Sequence, residues 1–328
     1  MRIVSCCRAY PTFNPGGMEA VCQVRAEELV RQGHEVHVVT AGGKAASLVH
    51  NGVMLHYTEG PMAKYSQAYS DECYKLACQL RPDVLHLDSF DQERLWWKDR
   101  PGSPRRIAMT YHGFGWQRIL TDWAMYRDGV DTHPCKVDLD MVDKQVRGVK
   151  SFDVAISISL FEQWQIQDLY AVGSPLVYNP IAIRFFDEPP VPDRPKRPWV
   201  VNGKRFPAVA QKVAERAGIP VIPLSGIRPE DMPKTYDGAA GLVLPTYFYI
   251  GFDLMVAESL ARRRPVVTFA LGSYYWAARI FEGIHAVLPG DIEAMGEMIS
   301  SDLPPVPSGV VDQFRPERHV KNWVEAVQ

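Results

Sequence analysis

Short runs rich in β-branched residues recur along this chain at intervals filled by helix-like sequence, and that alternation limits the fold more than any other feature. In the first half the runs are RIVSC (2–6), EVHVVT (35–40), VMLHYT (53–58), DVLHLD (83–88), RIAMTY (106–111) and DVAISI (153–158). Strands spaced by helical stretches imply parallel pairing with helical crossovers. Between the first two runs, Met18, Cys22, Ala26, Leu29 and Val30 repeat at helical spacing as one apolar stripe, and Gly33 ends that helix.

The pattern breaks at DEPPVPDRPKRP, residues 187–198, where five of twelve positions are proline. Such a stretch reads as a stiff, extended linker. Beyond it the alternation resumes with WVVN (199–202), IPVIPL (219–224), GLVLP (241–245), PVVTF (265–269) and HAVL (285–288). The chain therefore divides into an N-terminal α/β domain (1–180), a linker (181–198) and a second α/β domain (199–312). A last helical stretch, 313–328, has the length to pack back on the N-terminal domain. With 328 residues, 46% of them apolar, there is material for two cores. In doubly wound sheets ligands bind outside the carboxyl ends of the strands, so a cleft between two such domains is the expected site.

A formal charge of −2 and a pI near 6.5 provide no global basic field for nucleic acid or anionic membrane. Six cysteines show neither CxxC pairs nor the Cys/His spacing of a zinc site, which fits reduced thiols in a cytoplasmic protein. No apolar run approaches the length of a membrane span, and MRIVSCCRAY enters a strand pattern at once, without the apolar core of a signal peptide.

Four loops carry candidate chemistry. NPGGME (14–19) leads into the striped helix; Gly16 and Gly17 either make the turn or let backbone amides approach a phosphate. HGFGW puts His112 at the carboxyl end of a strand, where it is either structural or turned toward a substrate. After WVVN, Gly203 opens a turn and Lys204 and Arg205 supply two cations, a surface pair or a diphosphate clamp. In FYIGFDLMVAESLARRRPVV (248–267) a helix is expected to begin at Gly251. The amides around Gly251, Phe252, Asp253 and Leu254 would face phosphate, and Glu258 would lie about two turns, or about 10 Å, down the same face. A carboxylate there can accept from both ribose hydroxyls of a nucleotide.

Together these segments resemble retaining glycosyltransferases of the GT-B, family 4 type (glycosyl transferases group 1). The resemblance runs through PGGME, RQGHEVHVVT, RPDVLHLD, TYHG, FDVAISIS and VYNPIAIRFF to PTYFYIGFDLMVAESLARRRPVV, which is similar to the family's E-G-F-G-L-x-x-x-E-A-x-A-x-G-x-P-V-V signature. It implies two Rossmann-like domains with parallel sheets facing a central cleft. It also implies a nucleotide-diphosphate sugar as donor, foremost a UDP-sugar, and no metal or other cofactor. By resemblance Gly16 and Gly17 lie near the donor phosphates, His112 near the anomeric carbon, Lys204 and Arg205 at the diphosphate, and Glu258 at the ribose. The acceptor would be a hydroxyl of a glycan, lipid, small molecule or modified DNA base, chosen by residues 114–150.

The chain departs from the signature at several positions. Ile250 stands where the family has its first glutamate, Asp253 replaces a glycine, and Arg264 replaces the glycine before the last proline. The two cations are adjacent instead of separated. These departures leave room for an inactive sugar-nucleotide-binding protein. Trp96, Trp97, Trp116 and Trp123 beside RRIAMTYHGFGWQR leave room for a transferase acting on modified DNA bases. DLD (138–140) matches the metal-binding DxD of a different transferase fold, but its polar, helix-like surroundings favour a solvated helix face.

Overall fold

The computed structural model describes residues 1–7, 9–10, 16–59, 67–88, 104–113, 121, 125, 149, 152–192, 195–196, 198–202, 207–247 and 251–328. The chain forms two compact units. One comprises Met1–Trp116, Val137–Pro180 and Pro316–Gln328; the other comprises Gln117–Lys136 and Ile181–Arg315.

Among the described residues the first unit is built on a seven-stranded sheet. Its elements are β1 (Arg2–Cys6), α1 (Gly17–Arg31), β2 (Glu35–Gly43), β3 (Ala46–His50), β4 (Val53–Glu59), α2 (Gln67–Leu80), β5 (Val84–Asp88), β6 (Ile107–Tyr111), β7 (Val154–Ser157) and α3 (Leu160–Tyr170), joined by the C-terminal helix Pro316–Val327. The strand order is β3-β4-β2-β1-β5-β6-β7. All pairings are parallel except β3 with β4. That antiparallel edge strand is absent from the sequence expectation, yet its signal is present. Asn51 and Gly52 form a two-residue turn with φ of 49° and 82°, the backbone that an Asn-Gly hairpin adopts. A Cβ at Gly52 would also lie 2.7 Å from Val30 Cγ1, so space and backbone both call for glycine.

Alternation along the strands sorts side chains between two cores. Val4, Cys6, Leu85 and Leu87 pack with Cys73 and Ala77 of α2 and Ile166 and Tyr170 of α3. Ile3, Val36, Val38 and Val84 pack on the other face with Cys22, Ala26 and Leu29 of α1 and with Val320 and Trp323 of the C-terminal helix. His86 and Asp88 share the parity of Val84, so they point into this second core. Cys22, Cys73 and Cys78 are free thiols.

The second unit contains α4 (Arg184–Asp187), β8 (Trp199–Val201), α5 (Pro207–Ala217), β9 (Val221–Pro223), α6 (Met232–Asp237), β10 (Leu242–Leu244), α7 (Leu254–Ala261), β11 (Val266–Phe269), α8 (Ser273–Ile280), β12 (Ile284–Val287) and α9 (Ile292–Ser300). Among the described residues its five strands run in the order β12-β11-β10-β8-β9, all parallel. The segment 181–198 opens with a helical turn ahead of its proline-rich part. Phe185 is buried against Tyr236, ring centroids 6.2 Å apart, and the residues around it take one helical turn. Among the described residues no helix is long and apolar enough to cross a membrane.

Candidate functional site

Each unit presents candidate residues at the carboxyl ends of its strands. In the first, β1 is the point at which the strand order reverses, with β2 on one side and β5 on the other. Such a switch point is where α/β sheets bind ligands. Asp88 ends β5 there, and His112 follows β6 directly.

The His112 Nε2 lies 3.4 Å from Asp88 Oδ1, a long hydrogen bond in which the ring donates. His112 keeps 12% of its side chain exposed, whereas Asp88 is fully buried. Behind the acid, the guanidinium of Arg25, itself buried on α1, donates from Nη2 to Asp88 Oδ2. Burial alone would raise the Asp88 carboxyl. The cationic Arg25 outweighs it, with help from the His112 hydrogen bond, and holds the group well below its ordinary range.

His86 Nε2 sits 2.8 Å from Thr110 Oγ1, and its ring meets Trp323 edge-on at 5.2 Å. Arg25 lies 5.8 Å over the same indole. Burial, reinforced by Arg25, pushes His86 well below its usual value and His319 down to about 3, so both rings are neutral. The cluster thus holds one buried cation and one buried anion, with His112 at its exposed margin.

At the start of α1, Gly16 is the N-cap in an extended conformation (φ −99°) and Gly17 is the first helical residue. The backbone therefore does not require glycine at position 16. A Cβ there would fall on the Glu19 carboxylate, which folds back over the helix end. An acid in the first turn suits the helix dipole, so this N-terminus already has an anion of its own nearby. Cys7, Cys22 and Asp88 each bring a ligand atom within 4.8 Å of the others. The Cys7 thiol is pushed well up by its contact with Cys22 and by burial, and Asp88 is paired with Arg25, so these residues do not suit a metal.

In the second unit the strand order reverses between β8 and β10. The loop after β10 contains Gly251, and here the sequence expectation needs correction: the helix begins at Leu254, not at Gly251. Asp253 is the N-cap, with extended backbone (φ −65°, ψ 135°). Phe252 explains the delay. Its ring stacks on Phe314 (5.4 Å) and packs against Phe281 (5.6 Å), which holds the chain outside the helix. The Gly251 carbonyl accepts from Ser273 Oγ at 2.7 Å, and Asp253 Oδ2 accepts from the Tyr274 hydroxyl at 2.5 Å. Val256 N–H closes onto the Asp253 carbonyl (3.1 Å), so the remaining first-turn donors are those of Leu254 and Met255.

Glu258 therefore lies about one turn below the helix N-terminus, not two. Its Oε2 accepts from the Tyr236 hydroxyl at 3.1 Å. The carboxylate is half-buried, and burial raises it to about 7 even though Tyr236 and Arg184 both favour its ionised form. It can change charge near neutral pH.

The expectation at Arg264 needs correction: in A-x-G-x-P-V-V the glycine stands two residues before the proline, at Arg263, whose φ of 56° is the left-handed backbone that favours glycine. Arg264, one position on, has a use of its own. Its guanidinium is buried and donates to the carbonyls of Tyr236 (3.1 Å), Asp237 (2.9 Å) and Val191 (3.3 Å). Arg262 binds the Asp237 carboxylate and the carbonyls of Phe185 (3.2 Å), Glu188 (2.7 Å) and Pro189 (3.3 Å). The two arginines tie the proline-rich segment to the helix that carries Tyr236.

Gly203, Lys204, Arg205, Ile250, the DLD stretch at 138–140 and tryptophans 96, 97, 116 and 123 lie outside the described residues. Sequence reasoning missed Arg25, Asp88 and Tyr236. Asp88 had a signal, an acid closing an otherwise apolar strand. Arg25 and Tyr236 had none, because their partners are 63 and 22 positions away.

Two α/β units with largely parallel sheets match the GT-B fold, and solved structures of that fold align with nearly the whole chain. A sucrose-phosphate synthase from Thermosynechococcus elongatus aligns at TM-score 0.73 and 18% identity, over 100% of this chain and 94% of its own. Anabaena HepE in complex with UDP aligns at TM-score 0.67 and 13% identity, over 99% of each chain. Starch synthase IV from Arabidopsis thaliana, bound to ADP and acarbose, aligns at TM-score 0.63 and 10% identity, over 99% of this chain and 97% of its own. At these identities the likeness establishes the fold. The sequence itself matches the profile of Glycosyltransferase Family 4 over residues 15–184, so the chain belongs to that family and is a glycosyltransferase using a nucleotide sugar. No curated protein matches the sequence.

Proposed function

We propose that this enzyme transfers a sugar from a nucleoside-diphosphate sugar, foremost a UDP-sugar, to an acceptor hydroxyl, with retention at the anomeric carbon and without a metal. The observation that carries the reading is Glu258, a half-buried carboxylate one turn below a helix N-terminus at the carboxyl end of β10. In this reading its oxygens accept from the ribose hydroxyls, while the Leu254 and Met255 amides face phosphate oxygens. The solved relatives named above support a ribonucleotide donor, since HepE was solved with UDP and starch synthase IV with ADP.

The main barrier is charge developing on the departing diphosphate. Lys204, Arg205 and the helix amides stabilise that charge, as preorganised donors do in other transferases. The departing phosphate then accepts the acceptor's proton on the face it has left. His112, oriented by Asp88, positions the reacting sugar and does not attack it. The acceptor is a hydroxyl on a glycan, lipid, small molecule or modified DNA base, selected by residues 114–150.

A thermal-shift screen of UDP-, GDP- and ADP-sugars in the presence of a chelator identifies the donor, and NMR of the product reads its anomeric configuration. Glu258→Ala, His112→Ala and Arg205→Ala are each expected to lower turnover about tenfold or more while the protein stays folded. Near-wild-type turnover in all three would remove the site, an inverted product would remove retention, and abolition by chelator would remove metal independence.

A further inference from the structure

Glu258 has one hydrogen-bonding side chain against it among the described residues, and that side chain is fixed from several directions. Tyr236, at the end of α6, is fully buried. Its carbonyl accepts from Arg264 Nε, its ring packs on Phe185, and the neighbouring Asp237 carboxylate is held by Arg262. Its hydroxyl reaches two acceptors, Glu258 Oε2 at 3.1 Å and the Met255 carbonyl at 3.4 Å.

A phenol has a single proton to donate. When Glu258 is ionised, that proton goes to the nearer and charged acceptor. When Glu258 is protonated, the acid can donate to the phenol oxygen and the phenol proton can turn to Met255. Tyr236 thus stays hydrogen-bonded in both states but aims the carboxylate in one way. An ionised carboxylate offers about four acceptor positions. With one given to Tyr236, three remain, enough for two ribose hydroxyls.

We propose that Tyr236 is a positioning residue for the donor: its hydroxyl fixes one oxygen of Glu258 and favours the ionised carboxylate that accepts the ribose. This rests on the reading of Glu258 as the ribose acceptor. The other charged groups acting on the pair are Arg184 from α4, which favours ionisation of Glu258, and Asp253 at the start of α7, which acts on Tyr236. Arg262 and Arg264 act on the backbone and on Asp237, holding the helix that presents the phenol.

The test measures binding of UDP, GDP and ADP by calorimetry, takes the tightest, and compares it with its 2′,3′-dideoxy analogue from about pH 5.5 to about pH 9. Both ligands carry the same phosphates, so the ratio of their affinities isolates the ribose hydroxyls. In the wild type the ratio is expected to be about tenfold or more at high pH and to collapse as pH falls through the Glu258 transition. Tyr236→Phe should lower the ratio at pH 7 about three- to tenfold and move its midpoint up by about one pH unit. It should leave the affinity for the dideoxy analogue unchanged. Glu258→Gln should flatten the profile.

A fluorotyrosine at position 236, a stronger hydrogen-bond donor, should move the midpoint down, and this arm does not depend on the phenylalanine variant folding. Tyr236→Phe with a wild-type ratio and midpoint, or with equal losses for both ligands, would overturn the inference while leaving Glu258 in place. A wild type that does not distinguish the two ligands at any pH, or binds none of the three diphosphates, would overturn the reading of Glu258 itself.

Discussion

Asp88 in the first unit and Glu258 in the second are both carboxylates withdrawn from water, and they respond in opposite directions. Asp88 is completely buried, yet it is held below its ordinary range, because the Arg25 guanidinium contacts one oxygen and His112 the other. Glu258 is less buried and is nonetheless raised to about 7, since its direct partner is a neutral phenol and Arg184 acts only through space. Burial penalises charge in both places; a formal countercharge in contact decides the outcome. The first acid carries a fixed charge suited to orienting an imidazole. The second is suited to gripping a ligand whose arrival changes its surroundings.

The largest expected effect comes from removing the countercharge. Arg25→Met leaves Asp88 charged and buried, and should cost about 3–5 kcal/mol in urea unfolding. Arg25→Met combined with Asp88→Leu should recover much of that loss. A single variant as stable as the wild type would show that the ion pair is not what separates the two acids.

The pH dependence sharpens the contrast through its sign. Asp88 has a native value below its ordinary 3.8, so its contribution to stability is present above that value and is lost as pH falls toward the lower native one. Glu258 has a native value of about 7 against an ordinary 4.5. Its folded form binds the proton more tightly, so its contribution is greatest below 4.5 and declines as pH rises to 7. In unfolding titrations, Asp88→Asn should therefore destabilise at pH 7 and less in acid. Glu258→Gln should stabilise at pH 7 and above, with little effect at low pH. The same sign for both variants would break the comparison.

Arg264→Gly removes the hydrogen bonds to the carbonyls of Tyr236, Asp237 and Val191. Thermal unfolding should show a loss of about 1–3 kcal/mol in the second unit. Proteolysis should then be faster around Glu188–Val191. The smallest effects belong to helix caps. Ser159 accepts from Glu162 N–H (3.2 Å) in the first unit, and Asp291 accepts from Ala294 N–H (2.9 Å) in the second. Alanine at either should cost about 1 kcal/mol. If the units unfold in separate calorimetric transitions, each variant should shift only its own.

Much of the fold was legible because strand signals are local. Among the described residues, ten of the twelve strands lie within a residue or two of the runs read from the sequence, β2 extends three residues beyond its run, and β3 had its Asn51-Gly52 turn in plain view. The α1 stripe was legible in part. Cys22, Ala26 and Leu29 are buried as periodicity requires, but so are Arg25, which shares their face, and Glu28, and both are residue types that ordinarily stay in water. The start of α7 was misread by three residues. Gly251 looks like a helix opening in isolation, whereas the aromatic anchorage of Phe252 to Phe281 and Phe314 is invisible there.

The sequence by itself determined the two α/β units, the loops at the carboxyl ends of their strands, and the family to which the chain belongs. These follow from residue type and spacing over a few positions, where backbone sterics and side-chain periodicity act. Only the tertiary structure decided the charge states of Asp88 and Glu258, the placement of Trp323 beside Arg25 and His86, and the use of Arg264. Each depends on groups distant in the chain brought within a few ångströms in a medium that screens charge poorly, and no local pattern encodes that encounter.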